Sequence, residues 1–302
     1  MSCVREHIAT TYSIELTPKS LARVPDLREL LPHGTRVYLA HLPGTDFATM
    51  LQAAKRVQAE GFEAMPHLPV RMLPNVGELT RWVECYRHEA GVRGALVIAG
   101  GLAQPIGPFA DALSVLRTGV FDQHGFTRLH LAAHPEGHAQ MDPGGGHQQA
   151  DQVLLAKQAH ARNTDAQLAL VTQFGFDGNA MASWCQRIEA LGVLLPVHIG
   201  LAGPTRLMRL LQYAVQCGVG ASLRVLQQRA ADLRHLVRPF DPQEVMTQLS
   251  EAKATGLAGR LEQWHVFALG GVPEAAQWFN HALQLEPAAR APARLSTASC
   301  AA

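Results

Sequence analysis

Eight short apolar or β-branched runs recur along the chain, each followed by a stretch of helical period, and this alternation is what most restricts the fold. The runs predict strands over 12–16 (YSIEL), 36–41 (RVYLAH), 62–68 (FEAMPHL), 94–99 (GALVIA), 128–133 (RLHLAA), 167–172 (QLALVT), 195–200 (LPVHIG) and 264–269 (WHVFAL). Between them, segments such as DFATMLQAAKRVQAEG, GELTRWVECYRHEAGV, NAMASWCQRIEALGV and PTRLMRLLQYAVQCGV predict amphipathic helices, several followed by the Gly that favours a helix end. Strands alternating strictly with helices call for parallel pairing through right-handed crossovers. Eight such units close most simply into an α/β (β/α)8 TIM barrel, although a doubly wound open sheet has a similar period. The long interval before the eighth run, helical in pattern over 219–262, predicts extra helices before the last strand. The reading is one barrel domain over 1–286 and a disordered tail over 287–302, rich in Ala, Pro and Ser, with 141–149 (MDPGGGHQQ) a mobile loop over the barrel mouth.

Composition narrows the function classes. A chain of 302 residues, 47% hydrophobic and 17% charged, has enough apolar side chain for one large core. Its net charge of +1 comes from dispersed Lys and Arg, without the basic stripe that nucleic-acid binding needs. Cys3, Cys85, Cys185, Cys217 and Cys300 are odd in number and widely spaced, which suits a reducing compartment and predicts no structural zinc. MSCVREHIATT lacks a signal-peptide core, and no apolar run approaches the roughly 18 residues of a membrane helix. The expectation is a cytoplasmic protein with no membrane partner, and a homo-oligomer is compatible with it.

In a barrel the chemistry gathers at the C-terminal ends of the strands. The predicted strands end in Glu15, His41, His67, His134 with Glu136 and His138, Gln173 with Asp177, and His198. Glu15 closes an apolar run before Thr17 and Pro18, so a desolvated carboxyl with a raised pKa could serve as a general acid there, although spacing alone favours a solvated strand-end Glu with a cap or salt-bridge role. HPEGH (134–138) places two imidazoles four apart, but Pro135 interrupts the turn that would align them, and no metal is predicted. AGGLAQPIG (99–107) follows a strand without a phosphate-loop pattern, although its glycines permit close approach of a cofactor to the backbone. In TQFGFDGNA (172–180), Gln173 offers both a donor and an acceptor to a pterin or nicotinamide edge, whereas Phe174 and Phe176 suit either a planar ligand or the core.

In order along residues 12–284, these stretches resemble the methylenetetrahydrofolate reductase family. SIELTP (13–18) is similar to the family's S-F-E-F-F-P, MPHLPV (65–70) to P-H-L-T-C, LAAHPEGH (131–138) to the segment ending P-E-x-H, TQFGFD (172–177) to T-Q-F-F-F-D, and WHVFAL (264–269) to H-F-Y-T-L. The resemblance implies FAD at the mouth of the barrel, lined by His41, His67, His134 and His138, with Asp151 and Lys157 near its ribityl or phosphate part. It implies Glu15 as the catalytic acid and Gln173 as the folate- and nicotinamide-binding amide. The implied reaction is ping-pong: NADH or NADPH reduces the flavin, Glu15 protonates N10 of 5,10-methylenetetrahydrofolate, and hydride converts the N5-iminium to 5-methyltetrahydrofolate, a step of methionine biosynthesis or one-carbon metabolism.

Two departures stand out. The family's Arg-Gly-Asp after the fourth strand is Ala99-Gly100-Gly101 here, which removes a carboxylate from the flavin's pyrimidine edge and should make flavin reduction easier. Where the family often carries an aromatic for the folded nicotinamide, the nearest residue is Leu207. A flavin-free barrel passing hydride directly from NADH to the folate, and a non-catalytic folate-binding barrel, remain as alternatives at this point.

Overall fold

The computed structural model describes residues 11–138, 140–216 and 240–289. Eight parallel strands close in sequence order into a barrel: β1 (Tyr12–Leu16), β2 (Arg36–Leu39), β3 (Glu63–Pro69), β4 (Gly94–Ile98), β5 (Arg128–Ala133), β6 (Gln167–Phe174), β7 (Val197–Ala202) and β8 (Leu261–Phe267). The fold is thus the (β/α)8 barrel that the alternating runs predict. The eighth strand begins three residues before its apolar run because Gln263 is one of its inward-facing polar residues.

The strand period of two sorts the side chains. In β1, Tyr12, Ile14 and Leu16 join the core under the helices, whereas Ser13 and Glu15 face the barrel interior. The helices present the complementary faces. In the helix Phe47–Ala59, Met50, Leu51, Ala54 and Val57 recur at helical spacing and are buried, and the Asp46 side chain caps the first turn by accepting from Thr49 N at 2.7 Å. Replacing such a buried Leu with Ala costs about 2–5 kcal/mol in comparable cores.

Both ends of the barrel are polar. At the N-terminal floor, Arg36 Nε lies 3.2 Å from Glu63 Oε2, Arg36 also donates to Gln263 Oε1 at 2.6 Å, and Arg128 pairs with Glu63. Between floor and mouth the interior holds Tyr38, Met65, Leu96 and Val171 with three buried imidazoles, His130, His198 and His265. The Tyr38 hydroxyl meets His130 Nδ1, and the His130 ring packs edge-on against His198 at 4.7 Å.

Several boundaries differ from expectation. Residues 141–147 form a turn leading into a helix at Gln148–His160, with Asp142 accepting from Gln149 N and Ala150 N at 2.8 and 3.1 Å. The chain remains tied past Pro287, since the amides of Ala288 and Ala289 donate to Leu31 O and Arg28 O at 2.8 Å each. Of the helices predicted before β8, one spans Gln243–Ala254, whereas 217–239, like 290–302, lies outside the described residues.

Candidate active site

Glu15, at the mouth end of β1, is the most enclosed carboxylate of the site, its side chain 16% exposed. Its Oε2 stands 3.1 Å from His67 Nε2 on β3, an ion-pair distance at which the ring is not aligned for a linear hydrogen bond. The same oxygen stands 3.4 Å from His265 Nε2 on β8. Ser13, two residues before Glu15 on the same inward face, places its hydroxyl 2.9 Å from His265 Nδ1.

This arrangement corrects the expected raised pKa. Burial does push the Glu15 carboxyl up, but the charge of the nearby His67 and the hydrogen bond with His265 outweigh it and carry the group from 4.5 to about 2. Glu15 is therefore ionised at neutral pH. His265 is held toward its neutral form by burial, which the contact with Glu15 opposes only in part.

Across the barrel, β5 and β6 supply His134 and Gln173. Burial, then His138 and Lys157, lower the His134 pKa to about 4, while a hydrogen bond with Gln173 works against the shift. The His134 and His138 rings lie 4.6 Å apart, and both Nδ1 atoms are buried without a partner. His41, after β2, stacks on Trp82 at 5.6 Å, contacts Thr45 O through Nε2 at 2.9 Å, and leaves its own Nδ1 buried and unpartnered.

Gln173 owes its place to an irregularity. The β6–β7 register shifts between Val171 and Phe174, and a Cβ on Gly200 would stand 2.5 Å from Gln173 O and 2.6 Å from Thr172 O. Only glycine lets β7 pass under this bulge, whose extra residue re-aims the strand end. Thr172 fastens it, its hydroxyl accepting from Gly200 N and donating to Gln173 O at 2.8 Å each.

The Ala99-Gly100-Gly101 turn is also held in place. Gly100 has φ +90°, and a Cβ there would lie 2.9 Å from that of Pro69, whereas the same position on Gly101 meets nothing within 4 Å. Arg71, just past β3, donates to Leu102 O and Ala110 O at 2.9 Å each and fixes this loop over the mouth.

Other expected ligand contacts are placed elsewhere. Lys157 is 5% exposed, donates to Ala132 O at the end of β5, and is lowered by burial to about 8, so its amine is not presented to a ligand phosphate. Asp151 forms an ion pair with Arg187. Phe174 and Leu207 are buried with Phe176, Ala202, Leu210 and Phe240 in a second apolar cluster, which gives Phe174 the core role and leaves Leu207 without a surface for nicotinamide. His198 lies in the interior below the mouth, 3.4 Å from Glu262 Oε1, because β7 begins at Val197 and runs on to Ala202. Sequence reasoning missed Ser13, His265 and Arg71 as site residues; the first two were accessible through the strand period, since both fall on inward positions.

Fold and site together define a (β/α)8 barrel whose mouth joins an ionised carboxylate to several imidazoles. Among the described residues no group of three or more His, Cys, Asp or Glu is arranged to hold a metal, and no helix is long and apolar enough to cross a membrane. No protein-family model matches the sequence. The chain is similar to the solved structure of dihydropteroate synthase (FolP) from Thermus thermophilus, at 13% identity and a TM-score of 0.45, over 93% of this chain and 95% of that one. It is similar too to dihydropteroate synthase from Anaplasma phagocytophilum, solved with bound 6-hydroxymethylpterin-monophosphate, at 11% identity and a TM-score of 0.43, over 91% of this chain and 98% of that one. Likenesses this distant say nothing of what the present chain binds.

Proposed function

We propose that the protein reduces 5,10-methylenetetrahydrofolate to 5-methyltetrahydrofolate with hydride from NADH or NADPH, through bound FAD. The observation that carries this reading is Glu15: one carboxylate oxygen faces two imidazoles, and the side chain reaches the mouth opposite the hydrogen-bonded Gln173 and His134.

The residues present fit the ring end of a flavin. The buried, unpartnered Nδ1 atoms of His41, His134 and His138 suit its polar edge, and the open space at Gly101 permits close approach to the backbone. Lys157 and Asp151 are engaged within the fold and take no part in holding its phosphates. When bound, FAD would supply the two-electron carrier between nicotinamide and folate.

The chain's own work is proton placement and orientation. A ligand filling the mouth strips the remaining water from Glu15, which raises the affinity of the carboxyl for a proton taken from solvent. Transfer of that proton to N10 breaks the C–N10 bond of the five-membered ring and leaves an N5-iminium. The restored carboxylate then stands beside that cation and stabilises it. Gln173, with donor and acceptor both available, orients the pterin and, in the other half-reaction, the nicotinamide amide.

A second reading, direct hydride transfer from NADH without flavin, draws on Lys157 and Asp151 being engaged elsewhere. The two separate in a visible spectrum of the purified protein followed by anaerobic NADH and then NADPH. Bands near roughly 370 and 450 nm that bleach support the flavin route; a protein that stays colourless after incubation with FAD yet turns over folate supports direct transfer.

A further inference from the structure

Ser13 and His265 are register partners on β1 and β8, and both are fully buried. The Ser13 hydroxyl has two neighbours, Trp264 O at 3.4 Å and His265 Nδ1 at 2.9 Å, and because the ionised Glu15 facing the other ring nitrogen can only accept, Nδ1 is left as the acceptor of the Ser13 hydrogen. A neutral His265 accepting on Nδ1 must carry its own hydrogen on Nε2, which is the nitrogen facing Glu15. The ring is held from the sides by Tyr38 and Phe267, edge-on at 4.5 and 4.9 Å.

We propose that Ser13 and His265 are a positioning pair that pins Glu15 Oε2 and so reserves the other oxygen, Oε1, for the substrate nitrogen. Only the identity of that nitrogen rests on the reductase reading. With Oε2 already facing two imidazole nitrogens, an added proton settles on Oε1. The balance is then simple: the Oε1–H bond breaks as N10–H forms, Glu15 returns to a carboxylate, and the His265 hydrogen is never transferred. The ionisable groups facing Glu15 are His265 from β8, His67 from β3 and Tyr38 from β2, with His41 beyond His67.

The test begins without any reaction. Two-bond 1H–15N spectra of the histidine-labelled protein, assigned with His265→Gln, read the His265 tautomer directly; Nε2–H is expected at neutral pH, and Nδ1–H overturns the pair. Ser13→Ala is the mild variant. It should mix the two tautomers, lower kcat for folate reduction about tenfold with KM unchanged, and displace the acid limb of the pH profile. A Ser13→Ala protein with wild-type tautomer and profile also overturns the proposal. His265→Gln, whose amide nitrogen stands near the former Nε2, should retain about tenfold more folate turnover than His265→Asn, whose amide reaches only toward Ser13. Equal losses contradict positioning. An Nε2–H tautomer in a protein that reduces no folate supports the pair and overturns the reductase reading alone.

Discussion

Oε2 of Glu15 lies 3.1 Å from Nε2 of His67, and the same oxygen faces His265 from the other side, so the best candidate acid of the barrel rests as a carboxylate. Glu15→Gln keeps the shape and removes the proton. Folate reduction should fall by about 10²–10⁴-fold while reduction of bound flavin by the nicotinamide stays within about twofold, as separate stopped-flow half-reactions will show. Persistence of folate reduction in this variant excludes Glu15 as the acid.

The imidazoles inside the barrel make the fold sensitive to acid. Burial lowers the pKa of His130, His198 and His265 below 6.5, so the unfolded chain takes up protons that the folded one refuses as pH falls below that value. Glu15 acts in the same sense at lower pH: its stabilisation is complete above 4.5 and is lost as pH falls toward 2, a contribution of about 3 kcal/mol. Denaturant midpoints should decline steadily from pH 7 toward pH 4. Glu15→Gln should remove the portion below about pH 4.5 and, by taking away the contact that holds His265 up, deepen the loss that His265 contributes below pH 6.5. A flat profile contradicts the burial of these groups.

Gly200→Ala tests the β6 bulge. The new methyl would press on the carbonyls of Thr172 and Gln173, at the place where the Thr172 hydroxyl ties the bulge to Gly200. A loss of about 1–3 kcal/mol is expected in urea melts, with weaker folate binding because Gln173 shifts. Unchanged stability would mean that the bulge yields at no cost.

Lys157→Met separates the buried amine from the role that the family resemblance implies for it. With the lysine pKa lowered to about 8, keeping it charged at neutral pH costs stability, and the folded protein gains as pH rises from 8 toward 10.5. The methionine variant should be more stable at pH 7 by about 1–3 kcal/mol, and its affinity for FAD should change by less than about twofold. A large loss of flavin would return Lys157 to the phosphate.

Much of the barrel is visible in the sequence because parallel strands covered by helices read as largely apolar runs, and each of the eight strands contains one. What escaped follows from position within the barrel. The start of β8 reads as polar because Gln263 plugs the floor, and His198 reads as a mouth residue because its run begins before the strand does. Glu15 and Gln173 were legible as strand-end polar residues. The direction of the Glu15 shift was not, since it depends on His67 and on His265, the latter two hundred and fifty residues away along the chain. The engagement of Lys157 with a strand carbonyl leaves no mark in a linear motif either.

The most direct test of the account is the anaerobic formation of 5-methyltetrahydrofolate from 5,10-methylenetetrahydrofolate and NADH or NADPH, followed by chromatography of the folate product. The account predicts catalytic turnover by the purified protein, with one 5-methyltetrahydrofolate formed for each nicotinamide oxidised. No 5-methyltetrahydrofolate from a folded, FAD-supplied protein with either nucleotide would contradict it.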